Sequence, residues 1–121
     1  MKVLLALEAH RDATRVLDRA LDHVVHGDDE VTVAVIARGE GREPAELRDA
    51  VQEALARRGI SAEIRILSGE PSGALVEMAE AGGFDELVLG GGRRSPTGKM
   101  RLGRAAEFAV LNARTTVVLV R

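Results

Sequence analysis

Residues 87–105 read LVLGGGRRSPTGKMRLGRA, and this stretch indicates the fold class most clearly. It begins with a short apolar run, which is typical of a strand buried on both faces of a parallel sheet. Three glycines follow directly, and glycine lets a backbone turn tightly and approach a ligand closely. The apolar spacing of Leu102, Ala105, Ala106 and Ala109 then predicts a helix. Strand, glycine turn and helix together indicate one βα unit of an α/β protein.

The same alternation extends outward to both ends of the chain. Apolar runs predict strands at 3–7, 31–37, 60–66, 87–89 and 115–120. Four helical stripes lie between these strands. The first runs from Ala13 to Val25 after a possible Asp12 cap, and His23 and His26 lie near the end of this helix. The others run from Leu47 to Leu55, from Ala74 to Ala79 after a turn at 69–71, and from Leu102 to Val110. The order is βαβαβαβαβ, so we expect a doubly wound, five-stranded parallel sheet with helices on both faces.

The third strand gives the order of the sheet. Ile60, Ala62, Ile64 and Ile66 alternate with polar residues, which is typical of a strand with one wet face at an edge. The order 3-2-1-4-5 satisfies this and places strands 1 and 4 side by side. Open α/β sheets bind ligands in the crevice at such a switch point, outside the carboxyl ends of the strands. We therefore expect Glu8 at one lip of the site and Gly90 at the other.

Composition limits the class of protein. The 121 residues suit one domain spanning 1–121, and a core of Val, Leu, Ile and Ala is expected because aromatics are 2%. Without aromatic platforms, single-stranded nucleic acid is not an expected partner. No apolar run is long enough to span a membrane, and cysteine is absent, so we expect a soluble cytoplasmic protein.

The glycine-rich loop is the candidate ligand site. Gly90, Gly91 and Gly92 expose backbone N–H groups, and the helix that follows offers its N-terminus to an anion. Arg93, Arg94 and Arg104 add charge that suits a phosphate. Neither the P-loop pattern nor G-x-G-x-x-G is met, since Met100 follows Gly98-Lys99 and Ser95 stands at the last glycine position. The alternative is a plain flexible connection.

The chain offers no catalytic set, so we do not expect an enzyme. His10, beside Glu8, is either a ligand contact or a solvated loop residue. The pair His23 and His26 supplies too few ligands for a metal site.

Over essentially its whole length the sequence resembles the universal stress protein family. The resemblance rests on VLLALEAH at 3–10, on Gly69-Glu70-Pro71, on DELVLG at 85–90, and on LGRAAEFAVLNARTTVVLV at 102–120. It implies the adenine-nucleotide α-hydrolase-like fold and a loop, G-x2-G-x9-G-[ST], that wraps the phosphates and ribose of ATP. The SPTGK segment looks like the version common in haloarchaeal members.

Mapped onto that pattern, Gly90 and Gly103 match the first and third glycines. Arg93 and Arg104 replace the second glycine and the Ser/Thr, and Glu8, Ala9 and His10 stand where Asp-Gly-Ser is usual. The resemblance implies a regulatory or protective protein that binds ATP, AMP or another phosphate-bearing anion. The expected site residues are Glu8, Ala9, His10, Ala37, Gly90, Gly91, Gly92, Arg93, Arg94, Gly103 and Arg104.

The resemblance also implies a homodimer joined through the last strand. The sequence agrees, because residues 116–120 form a flat apolar edge that pairing with a second copy would cover. One alternative is a dimeric interaction module of the same fold that binds no nucleotide. Another is an α-hydrolase-type enzyme, but LEAHRDAT at 7–14 stands where such enzymes carry a glycine-rich phosphate loop.

Overall fold

The computed structural model describes residues 1–9, 13–23, 25–37, 43–90 and 102–120. Within them the elements alternate from strand to helix along the chain. They are β1 (Lys2–Glu8), α1 (Ala13–His23), β2 (Glu30–Ile36), α2 (Pro44–Arg57), β3 (Ala62–Leu67), α3 (Pro71–Ala81), β4 (Glu86–Gly90), α4 (Arg104–Asn112) and β5 (Thr116–Val120).

The five strands form one parallel sheet in the order β3-β2-β1-β4-β5, as predicted. In the central strand, Leu5 pairs with Val33 of β2 on one side and with Val88 of β4 on the other. All strands run the same way, so the sheet has an amino end, where the strands begin, and a carboxyl end, where they stop.

Each face of the sheet is covered by two helices. Alternate residues of β1, such as Leu5 and Leu7, pack with α1 and α2 around Leu17 and Val51. The other set, which includes Leu4, packs with α3 and α4 around residues such as Leu75, Leu89 and Ala109. The core is therefore aliphatic, as the composition predicts.

The two edge strands differ in their side chains. In β3, Ala62 and Ile64 are partly buried and Glu63 and Arg65 are exposed on the other face, and the strand lies at an edge of the sheet, so the predicted wet edge is confirmed. At the opposite edge, β5 carries Val117, Val118 and Leu119, which are apolar and not fully covered.

Several local features differ from the sequence prediction, and one is α4, which begins at Arg104 and not at the predicted Leu102 because Gly103 is its N-cap. Helix α3 begins at Pro71, three residues before its predicted start, because proline is well suited to the first helical position and Glu70 takes the cap position. Strand β3 runs from Ala62 to Leu67. His26 lies beyond the end of α1, in the turn before β2. The proposed cap Asp12 lies outside the described residues.

A membrane-spanning element is not found among the helices described. None of them combines the length and the apolar character that crossing a bilayer requires.

Candidate functional site

The carboxyl end of the sheet collects the predicted site residues from three strands and a helix. Strand β1 stops at Glu8, and the N–H of the next residue, Ala9, donates to the carbonyl of Ile36 at 3.0 Å. The N–H of Ala37 in turn donates to Leu67 O at 2.9 Å. These bonds extend the parallel pairing by one residue and fix where the chain leaves each strand.

Gly90 and Gly103 bound the loop that follows β4. Gly90 is the last residue of β4, and a Cβ there would lie 2.5 Å from Cγ1 of Val16 on α1. Gly103 is the N-cap of α4, and a Cβ there would overlap the carboxylate of Glu8. Gly90 therefore cannot gain a side chain unless the buried Val16 shifts, whereas a side chain at Gly103 would displace the carboxylate of Glu8.

Glu8 reaches the N-terminus of α4 through this contact. Its Oε1 is buried, although the residue as a whole is only partly so. A carboxylate beside a helix N-terminus is favourably placed with respect to the helix dipole. Glu8 thus joins the end of β1 to the start of α4 across the switch point between β1 and β4.

A cleft of about 440 Å³ opens beside this contact, and we call it the carboxyl-end cleft. It lies between the N-termini of α3 and α4, at the ends of β2 and β3. Its described lining comprises Ile36, Ala37, Ser68, Gly69, Glu70, Pro71, Ser72, Arg104 and Ala105. The predicted residues Ala37 and Arg104 both belong to it, whereas residues 68–72 were not predicted.

Ser72 is the least expected member of the cleft. Its side chain is 6% exposed, and its hydroxyl makes no hydrogen bond within the described part of the chain. It stands in the first turn of α3, where backbone N–H groups also lack helical partners. The Ser72 oxygen is not among the fully buried polar atoms, so it can donate to or accept from a polar ligand in the cleft.

The electrostatics of the cleft are mixed. Arg104 is the one cation and Glu70 the one anion among the described lining residues. The N-termini of α3 and α4 add positive partial charge on two sides. The cleft can therefore hold an anionic group near Arg104 together with an uncharged polar group near Ser72.

A cluster of metal-ligating side chains is not found among the described residues. Within ranges 1–9, 13–23, 25–37, 43–90 and 102–120, no three His, Asp or Glu side chains cluster as a metal site would require. The predicted site residues His10, Gly91, Gly92, Arg93 and Arg94 lie outside the described residues.

The chain matches a known protein family and several solved structures. The universal stress protein family matches residues 1–121. A universal stress protein structure from Archaeoglobus fulgidus is 27% identical, with a TM-score of 0.68, and the match covers 100% of this chain and 98% of that one. Another, in complex with cAMP, is 26% identical with a TM-score of 0.72 and coverages of 100% and 96%.

A third similar structure shows the fold at lower identity. It is a family protein from Arabidopsis thaliana with AMP bound, 19% identical, with a TM-score of 0.67 and coverages of 99% and 90%. No curated protein matches the chain.

Proposed function

Since this chain belongs to the universal stress protein family, we propose that it is a regulatory or protective binding protein, without turnover of its own, whose carboxyl-end cleft holds an adenine nucleotide. Residues 1–121 act as one domain in this proposal. Structures of similar proteins with AMP and with cAMP support the choice of ligand class. ATP is the larger alternative within the same class.

One observation carries the proposal. Two helix N-termini, the hydroxyl of the mostly buried Ser72 and the Arg104 side chain line a single cleft at the carboxyl end of the sheet. Its volume, about 440 Å³, falls in the range of roughly 300–1,000 Å³ that small-molecule sites occupy. We assign the phosphate to Arg104 and the N-terminus of α4, with Gly90, Gly91, Gly92, Arg93 and Arg94 enclosing it.

The other end of the nucleotide is assigned to the strand ends. Ala37 and Ser72 line the part of the cleft near β2 and β3, where a base or ribose would lie. Glu8 at the end of β1, together with Ala9 and His10 after it, completes the site in this proposal. Glu8 adds a negative charge close to the phosphate subsite, so we expect a monophosphate to bind more readily than a triphosphate.

Isothermal titration calorimetry with AMP and ATP tests this function. R104A removes the cation in the cleft and is expected to weaken AMP binding about tenfold or more, since a charge-assisted hydrogen bond is worth about 1.5–3 kcal/mol. S72A is expected to weaken it several-fold. R114A is the matched control, because Arg114 is exposed beyond the other end of α4. Equal losses in R104A and R114A, or no heat with either nucleotide, would contradict the proposal.

A second function rests on a different surface, the outer side of α4 and β5. Phe108, Val110, Leu111 and Leu119 are large apolar side chains that remain exposed there. Leu111 is 75% exposed, and exposed apolar side chains gathered at one edge favour an interface. We propose that two copies of the chain pair through β5, and this homodimer stands whether or not a nucleotide binds.

A further inference from the structure

A second cavity opens at the opposite, amino end of the sheet, and we call it the amino-end groove. Its volume is about 690 Å³. Lys2, Glu30 and Ala62 line it from the starts of β1, β2 and β3, Met78 lines it from the second half of α3, and Gly82 lines it from just after that helix. Among the described residues, none lines both this groove and the carboxyl-end cleft.

The floor of the groove includes a threonine. In β2, Val31, Val33 and Val35 join the core beneath α1 and α2, so Thr32 lies on the opposite face. Thr32 is 7% exposed and lines the groove, and its hydroxyl makes no hydrogen bond with any described residue. The hydroxyl oxygen is not among the fully buried polar atoms, so it can be reached from the groove. The floor therefore offers an accessible donor or acceptor to a ligand.

The cations of the groove are already engaged. The Nζ of Lys2 donates to Gly82 O at 2.5 Å and lies 4.8 Å from the centre of the Phe84 ring. The Nε of Arg65 donates to Glu63 Oε1 at 2.8 Å. Arg65 is thus paired with a carboxylate, whereas Lys2 keeps its positive charge and is held at the wall by the carbonyl and the ring.

The other two carboxylates of the groove are not paired with a cation among the described residues. Glu30 and Glu77 line it from β2 and α3, and neither makes an ion pair with another described residue. Met78 and Phe84 supply an apolar wall beside them. The groove therefore combines two carboxylates outside ion pairs, the accessible hydroxyl of Thr32 and an apolar strip, which suits a cation with an aliphatic body.

We propose that the amino-end groove binds an aliphatic amine carrying two or more ammonium groups. The ammonium groups donate to the carboxylates of Glu30 and Glu77, and one of them or an adjoining amine donates to the hydroxyl of Thr32. The methylene chain packs on Met78 and Phe84. A bare metal ion fits less well, since the described residues hold no cluster of three ligating side chains.

Spermidine is the probe, and calorimetry gives its affinity. The double variant E30Q/E77Q is expected to bind it at least tenfold more weakly, and T32V several-fold more weakly. E43Q/E46Q removes the same charge from the start of α2, away from the groove, and is expected to bind within twofold of the parent. An equal loss of spermidine affinity in the two double variants would mean that only the net charge of the protein matters, and it would overturn the proposal.

The two phenylalanines provide a readout of position. Phe84 lines the groove, whereas Phe108 lies on α4 and is not among the residues that line the groove. In aromatic NMR spectra, spermidine is expected to shift the ring signals of Phe84 and leave those of Phe108 in place. Unchanged Phe84 signals at saturating spermidine, or displacement of spermidine by Mg²⁺ at matched ionic strength, would overturn the assignment.

Discussion

The carboxylate of Glu8 lies at the place that a side chain on Gly103 would occupy. The two residues are 95 positions apart in the chain, and their contact joins β1 to the N-terminus of α4. G103A should therefore displace the Glu8 carboxylate, which is the far end of a flexible side chain, and lower the free energy of unfolding by up to about 1 kcal/mol, the low end of the cost of overpacking. Chemical denaturation measures the free energy of unfolding.

Two further variants separate this contact from a general effect of alanine. In E8A/G103A the obstructing carboxylate is gone, so most of the loss should be recovered, giving a non-additive cycle. G73A is the matched control, because Gly73 lies inside α3 with open space around it, and alanine there should stabilise the helix by up to about 1 kcal/mol. Additive losses in the double variant would contradict the contact.

Gly90 makes a similar close approach on the other side of the switch point. A Cβ on Gly90 would lie 2.5 Å from Cγ1 of Val16, a fully buried residue of α1. G90A is expected to lower the free energy of unfolding by about 1–3 kcal/mol. V16A/G90A should be more stable than the sum of the two single changes implies, since alanine at 16 removes the obstructing methyl. A double variant as unstable as that sum would show that the strain lies elsewhere.

The proposed dimer predicts different responses at the two edge strands. Leu119 on β5 and Ile66 on β3 are both 38% exposed, so they are matched in exposure at opposite edges of the sheet. L119K should place a charge in the β5 interface and weaken dimerisation at least tenfold, whereas I66K should leave it unchanged. Analytical ultracentrifugation over a range of concentrations measures both. Equal behaviour of the two variants would argue against β5 as the interface.

Asp29 predicts a pH dependence of stability. The N–H of His26 donates to Asp29 Oδ2 at 2.8 Å, and this bond, aided by the nearby Met1 amino group, lowers the pKa of Asp29 against the opposing effect of burial. A lowered pKa in the folded state means that Asp29 stabilises the fold above its unfolded-state pKa. That contribution is lost as the pH falls through the folded-state pKa.

D29N should therefore be less stable than the parent at neutral pH, and the difference should shrink below about pH 4. Denaturation curves at several pH values measure this. D28N is the control, because Asp28 is exposed and makes no ion pair among the described residues, so its effect should be small at every pH. A difference for D29N that stays constant from pH 7 to pH 3 would contradict the role of its charge.

The strand order could be predicted because local patterns report burial. The apolar run at 3–7 marks a strand covered on both faces, and the alternation from Ile60 to Ile66 marks an edge. The start of α3 was misplaced because Gly69 and Pro71 suit a turn and also suit the residues just before and at the start of a helix.

The lining of the cleft and of the groove could not be predicted in the same way. Ser72 and Arg104 are far apart in sequence and line the same cleft because α3 packs beside α4. Thr32 sits within an apolar run, and its unmet hydroxyl depends on α3 leaving that part of the sheet open. Such features arise from packing between elements, which a single sequence does not report.

The contrast between the two edge strands also limits how the protein can assemble. The β3 edge carries the Glu63–Arg65 pair and resists pairing with another strand, whereas β5 presents an apolar edge that can accept one. In the proposed homodimer, each copy pairs with the other only through its β5 edge. Growth into fibres would need a second edge able to pair, so we expect self-association to end at two subunits.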